Sequence, residues 1–365
     1  MSKSTEEMLQ IVNDNIARIE NKDFNMYFFV LDTCGNPSSA LEYIYRTALI
    51  LQKKGYNVTM LHQEKEFIGV GEWMGEEYGN LPHKNIEEKN VEIGPSDFLF
   101  IPEIFANVIA QTKNLPCKRV VLVQNYNQIT EFMPVSHTLE NMQINDVIAT
   151  TKVQGEKIKK YFPNVSVHYV SPSISKVFTK DENPKKLIVN LISKDQSIIH
   201  QIVKPFYWEN PIFKWVGFRD LRNLSQEEFA NALKESPITV WVDEGTNFGY
   251  SALEALRCGN IVLGKIPQHP SDWMIEKKGD SEELTDSIIW FNDIDMVPEM
   301  LNSLIWTWIN NKIPEDIYES ASKLDSLYTE EIQANEIEEV YVKGIIKKRL
   351  NDFVEVKANL DKGLK

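Results

Sequence analysis

Cysteine is scarce in this chain of 365 residues: Cys34, Cys117 and Cys258 are the only three. An odd, widely spaced set builds neither a disulfide framework nor a zinc site with paired ligands, so a reducing compartment is the simplest reading. Long apolar runs are missing as well, since nowhere do about 18 apolar residues follow one another. The acidic start, MSKSTEEMLQIVNDNIARIE, has no signal-peptide core. We expect a cytoplasmic protein that touches a membrane, if at all, peripherally at its inner face. Basic charge is in deficit, with 39 Lys and Arg against 53 Asp and Glu, a formal net charge of −14. That balance repels polyanions and makes nucleic acid a disfavoured partner unless basic residues gather in one cleft. The six histidines include no i, i+4 pair and none adjoins a cysteine pair, so no metal site is expected. His137 and His269 read as ordinary surface or core histidines, and Asp293 and Asp295 as a helix N-terminal cap with a solvated acid beside it. No Ser-His-Asp or Cys-His arrangement is legible, and no short repeat or low-complexity block occurs.

What is present is the composition of a soluble globular protein, 42% hydrophobic and 25% charged. The length exceeds one comfortable core, which predicts two domains. After an amphipathic helix over 5–20, the run MYFFVLD leads into the loop Thr33-Cys34-Gly35-Asn36, a helix, and GYNVTMLH, which is one βαβ unit. Further unbroken apolar runs follow at DFLFIPE, RVVLVQN, DVIATT and VSVHYV, then KKLIVNLI, FKWVGF, ITVWVDE, NIVLGKIP and SIIWFN. Runs without polar alternation belong to strands buried on both faces, as in parallel sheets covered by helices. The polar, proline-bearing stretch over 171–184 is the best hinge. We therefore expect an α/β protein with an N-terminal domain over 1–172, its first 22 residues a preceding helix, a second domain over 173–335, and a C-terminal helix and tail over 336–365.

The most informative stretch is DEGTNFGYSALEALRCGNIVLGKIP, from Asp243 to Pro267. It leaves a buried strand, turns through Gly245 and Gly249 and enters a helix near Ser251. The first amides of such a helix are unpaired and can hold a phosphate, helped by the positive end of the helix dipole. Glu254, one turn in, is placed to accept hydrogen bonds from a nucleotide's sugar hydroxyls. Equally, the two glycines could serve only a tight strand-to-helix connection.

These residues resemble the donor-binding signature of retaining glycosyltransferases of the GT-B fold, family four. Phe248, Gly249, Glu254, Ala255, Cys258 and Gly259 follow its order, and NIVLG resembles the strand after it. The resemblance implies two Rossmann-like domains facing each other across a cleft, with C-terminal helices returning toward the N-terminal domain. It also implies a nucleoside-diphosphate sugar donor, UDP- or GDP-linked, held by the second domain through Thr246, Asn247, Phe248, Gly249, Tyr250, Ser251 and Glu254. No metal cofactor is expected. The family's first glutamate falls at Thr246 here; either a two-residue insertion, Thr246 and Asn247, lets Glu244 reach the transferred sugar, or that role is lost. Lys194 lies where the family has a basic residue facing the diphosphate, although a lone lysine at a strand end is commonly a solvated surface group. Gly35 and Asn36 occupy the loop that approaches donor and acceptor, and Gln124 and Asn125 resemble a Gln-Asn motif of bacterial relatives; an ordinary strand-end turn would look the same.

The implied activity is retaining hexosyl transfer to a hydroxyl acceptor, which could be a glycan, a lipid-linked sugar or a small molecule, with Lys194 and Glu244 as the catalytic pair. Two alternatives stand beside it. One is a phage-type DNA glycosyltransferase acting on hydroxymethylated bases, suggested by DSIIWFNDIDM and opposed by the net charge. The other is a non-catalytic nucleotide-sugar-binding protein of the same fold.

Overall fold

A computed structural model describes residues 5–87, 91–243, 248–279 and 281–363. The chain divides into two compact units, residues 1–172 with 333–365, and residues 173–332.

The first unit is built on seven parallel strands: β1 (Asn25–Phe29), β2 (Asn57–His62), β3 (His83–Asn85), β4 (Phe98–Pro102), β5 (Lys118–Val123), β6 (Asp146–Ala149) and β7 (Ser166–Tyr169). Their order is β3-β2-β1-β4-β5-β6-β7. The run MYFFV is apolar without alternation because β1 has a core on each face. Met26, Phe28 and Val30 join the helix Ser39–Lys53 and the C-terminal residues Ile337, Tyr341 and Ile345 on one side. Tyr27 and Phe29 join Ile109, Ile129 and Ile158 on the other. The C-terminal segment, Glu330–Ile337, continues through a π-helical stretch, Glu338–Ile346, into the helix Lys347–Gly363. It belongs to this unit through specific ties. Tyr341 packs on Phe28 and Phe100, Lys54 pairs with Glu338 at 2.8 Å, and Glu336 accepts the Ser171 amide at 2.6 Å. Under the sheet, buried Asp146 is paired with Lys118, with His168 at 3.0 Å and with Lys348 at 3.4 Å. Burial alone would raise its pKa, but these partners hold it well below the usual carboxylate range.

The second unit has five parallel strands, β8 (Ile188–Ser193), β9 (Gly217–Asp220), β10 (Ile238–Val242), β11 (Ile261–Lys265) and β14 (Ile288–Phe291), in the order β14-β11-β10-β8-β9. An antiparallel hairpin, β12 (Ile275–Lys278) with β13 (Ser281–Leu284), stands apart from the sheet. The run FKWVGF forms a strand only from Gly217. Before it, Pro211–Phe213 make a 3-10 turn that drops Phe213 and Val216 into the core. The helix Gln226–Glu235 starts with the capping box its sequence predicts: the Glu228 amide donates to Ser225 Oγ, and Glu228 Oε2 accepts the Ser225 amide at 2.9 Å. Asp293 caps the 3-10 turn Ile294–Met296 by accepting the Asp295 amide at 3.1 Å.

Candidate functional site

In an open parallel sheet, loops leaving neighbouring strands diverge where the strand order reverses, and ligands bind at the carboxyl ends there. In the second unit that point lies between β8 and β10. The register sets Ser193 opposite Val242, so Lys194 and Asp243 leave the sheet side by side. Lys194 Nζ lies 3.5 Å from Asp243 Oδ2 with the lysine side chain 83% exposed. With its ammonium end in solvent the pair is worth little, on the order of 1 kcal/mol, so a phosphate could draw the ammonium away from half-buried Asp243.

Residues 244–247 follow, and Glu244, Gly245, Thr246 and Asn247 lie outside the described residues. The chain is described again at Phe248, whose ring is buried edge-on against Tyr250 and Tyr328, with centroids 4.7 and 5.1 Å away. Its carbonyl accepts a 2.6 Å hydrogen bond from Trp273 Nε1. Gly249 caps the helix Tyr250–Arg257 with φ +79 and ψ 43, a left-handed conformation that favours glycine. Space favours glycine there as well: a Cβ would crowd the flexible end of buried Met274, which would have to shift, and stand 3.2 Å from Trp273 and 3.5 Å from Trp241. Tyr250 and Ser251 are half-buried in the first turn. Glu254 is 6% exposed one turn further on, near Arg257. Arg257 points the other way in function: it donates to Asp325 O at 2.6 Å and Ile174 O at 3.3 Å, which fixes the helix to the segment Glu315–Leu324. Lys185 secures the far end by donating to the carbonyls of Ser236 and Cys258, both at 2.9 Å, and burial lowers its pKa to about 8. Buried Cys258, its thiol pushed up to about 12, is packing rather than a nucleophile.

In the first unit the order reverses between β1 and β4. The loop after β1 turns through Cys34 and Gly35, both with positive φ, and is closed by Thr33 and Asn36: the Asn36 amide donates to Thr33 O at 3.0 Å and Thr33 Oγ1 to Asn36 O at 2.6 Å. Asp32 ties this loop to the next one, accepting the Cys34 amide at 2.9 Å and the Ile68 amide at 3.0 Å. Gly35 borders Glu72 and Ile68 at the rim of a cavity of about 670 Å³ that also meets His62, Phe67 and His83. Burial and the neighbouring His62 lower the His83 pKa to about 4, so its imidazole is neutral at pH 7. Gln124 and Asn125 follow β5 directly. Gln124 Nε2 donates to Ala40 O at 3.0 Å, and Asn125 caps the helix Tyr126–Phe132. The two groups of residues in this unit therefore share one neighbourhood.

Reasoning from sequence missed three residues that hold these loops. Trp273 clamps the Phe248 carbonyl, Asp32 joins two loops, and Glu103, at the end of β4, accepts the amides of both Gln124 and Asn125. The signal for Glu103 was its place: an acid closing the run DFLFIPE beside a strand that closes in Gln-Asn. His137 is half-buried and bonds Ser136, and His269 is half-buried.

No protein-family model and no curated protein matches the chain, but solved structures do. A glycosyltransferase from Rickettsia africae superposes with a TM-score of 0.60 at 10% identity, over 88% of this chain and 98% of that one. HepE from Anabaena, solved with UDP-glucose, gives 0.61 at 11%, over 87% and 99%. The pneumococcal O-GlcNAc transferase GtfA, solved with UDP and GlcNAc, gives 0.63 at 9%, over 90% and 99%. The chain has the GT-B fold. Its two parallel sheets, of seven and five strands, are those of the GT-B glycosyltransferases it superposes on.

Proposed function

We propose that this GT-B chain transfers a sugar, with retention of anomeric configuration, from a nucleoside-diphosphate donor to a hydroxyl acceptor. The observation that carries the reading is the turn at Gly249. Its left-handed backbone and the close packing around it fix the start of the helix Tyr250–Arg257, the helix that follows β10, while Lys194 leaves the neighbouring strand β8 of the same sheet.

The chemistry follows from where charge develops. Breaking the anomeric bond leaves negative charge on the diphosphate and positive character on the sugar. Lys194 and the amides from Gly249 to Ser251 would stabilise the first, acting most strongly when the bond is partly broken. Binding diphosphate means exchanging Asp243 for phosphate as the partner of Lys194. Glu254 would accept the ribose hydroxyls, and Glu244 would contact the transferred sugar. In this reading the leaving phosphate takes the acceptor proton on the same face, so neither a strong base nor a metal is required. Gly35, Asn36, Gln124 and Asn125 would border the acceptor. UDP is the favoured nucleotide, because HepE and GtfA were solved with UDP-glucose and UDP.

A thermal-shift panel of UDP, GDP, ADP and CDP, each with and without EDTA, tests this. A ligand that binds only the folded state raises Tm by mass action, by about 2.7 kcal/mol of stability at 100 times its Kd. UDP should raise Tm, unchanged by EDTA. A chain that responds to none of the four has no donor site of this kind.

A further inference from the structure

The crevice between β1 and β4 holds a cavity of about 70 Å³ that the donor chemistry does not use. Leu31, Thr33, Glu103, Phe105 and Gln124 are among its walls, which are mainly apolar. That volume is several times the roughly 10–15 Å³ that one water needs, enough for a short polar group. Glu103 is its one ionisable wall residue, and it is 2% exposed. Both hydrogen bonds that other residues donate to its side chain fall on one oxygen: Gln124 N at 2.9 Å and Asn125 N at 2.6 Å donate to Oε1, and the amide of Glu103 itself also acts on the carboxyl. No other described residue donates to Oε2. Tyr43, on the helix Ser39–Lys53, is the titratable side chain that feels the Glu103 charge, and its hydroxyl is occupied in donating to Val170 O at 3.2 Å.

A buried carboxyl held through one oxygen, on a wall residue of an apolar cavity, selects its ligand by charge. An anion would be repelled. A hydroxyl suits it in either protonation state, because it can donate to a carboxylate and accept from a carboxylic acid. Both states are present near neutrality: burial pushes the Glu103 carboxyl up to about 7 against the pull of the amides of Asn125, Glu103 itself and Gln124. We propose that this cavity is a subsite for the uncharged, hydroxyl-bearing end of the acceptor, a hydroxymethyl or glycerol-like terminus hydrogen-bonded to Glu103 Oε2. Glu103 is then a positioning residue twice over: it sets the Gln124-Asn125 loop through one oxygen and orients the acceptor through the other. The proposal deepens the acceptor side of the reading above and rests on it.

The test needs neither donor nor turnover. The full chain is labelled at its glutamate carboxyl carbons, and the Glu103 resonance is assigned by its loss in Glu103→Gln, whose amide oxygen can still accept both backbone N–H groups. Ethylene glycol, glycerol, methylammonium and acetate are then titrated in. The diols should shift the Glu103 resonance saturably, whereas acetate and methylammonium leave it in place. Leu31→Trp, which fills the cavity and leaves the amide bonds alone, should abolish the diol response and supplies the assignment if Glu103→Gln does not fold. A resonance indifferent to diols overturns the proposal, and one that answers only to methylammonium makes this a cation site instead. Because no nucleotide is present, failure here leaves the UDP result standing, and failure of the UDP panel leaves this one standing.

Discussion

The two units solve the same problem, holding a loop at the end of a parallel strand, by opposite means. After β10 the loop is described again at Phe248, and the grip is apolar: buried rings, a carbonyl held by Trp273, and a glycine that admits Met274 and two indoles. Charge is left at the edge, on exposed Lys194 and its half-buried partner Asp243. After β4 and β5 the grip is itself an ionisable group, with two amides converging on buried Glu103. An apolar grip is indifferent to pH and intolerant of volume. A carboxyl grip tolerates a same-shaped neutral substitute and responds to protons. If the proposed roles hold, the charged groups of the second unit are separable from its scaffold by mutation, whereas in the first unit scaffold and proposed acceptor contact meet in Glu103.

Gly249→Ala should do the most damage. It sets a side chain on a left-handed residue, costing about 1–2 kcal/mol, and overpacks the site by about 1–3 kcal/mol more. Denaturant unfolding should show a loss of about 2–5 kcal/mol. Adding Met274→Ala removes the closest clash but not the backbone strain, so it should rescue part of the loss; full rescue would mean that the backbone conformation does not matter. Lys194→Ala is the converse, a change in chemistry without a change in fold. Stability should stay within about 0.5 kcal/mol, as for other surface substitutions. Turnover should fall about 100- to 1000-fold, more than the Michaelis constant for the donor rises, by analogy with lost oxyanion donors. A raised Michaelis constant with intact turnover would reassign Lys194 to uniform donor binding.

Glu103→Gln probes the other grip. The folded carboxyl has its pKa raised from 4.5 to about 7, so between those values the folded state binds more protons than the unfolded one. The stability this group contributes is full below about pH 4.5 and falls as the pH rises toward 7. The loss is on the order of 1–3 kcal/mol. Glutamine cannot titrate, so the variant should gain on the parent as the pH is raised from 5 to 8. Parallel stability curves for the two proteins would show that the carboxyl is not strained by burial. Glu254→Ala should have the smallest effect, weakening nucleotide binding roughly tenfold through loss of a charge-assisted hydrogen bond worth about 1.5–3 kcal/mol. Unchanged affinity by calorimetry would remove Glu254 from the donor site.

The α/β architecture was legible because continuous apolar runs such as MYFFV and ITVWV suit strands with two covered faces, and each run contributes a strand here, although FKWVGF does so only from Gly217 and the edge strands β7 and β9 stay partly exposed. The strand His83–Asn85 and the β12–β13 hairpin carried no such mark. They are three or four residues long and rich in His, Lys, Glu and Ser, so periodicity had nothing to register. The turn at Gly249 was visible as a glycine before a helix. Its cause was not, since Trp241, Trp273 and Met274 reach it only through the fold. Glu103 went unmarked, because a sequence does not say that two amides following a neighbouring strand will close over a carboxylate. Phe248 was expected in the donor set, and its ring lies in the core of the second unit.

The central claim is that Lys194 and the turn at Gly249 serve glycosyl transfer. Release of UDP from UDP-glucose and UDP-GlcNAc, by the parent and by Lys194→Ala side by side, tests it most directly. The account predicts that the parent releases UDP from at least one of the two and that Lys194→Ala does so at least about 100-fold more slowly while unfolding at the same temperature. Equal rates in the two proteins, or no release by a parent that UDP itself stabilises, would contradict it.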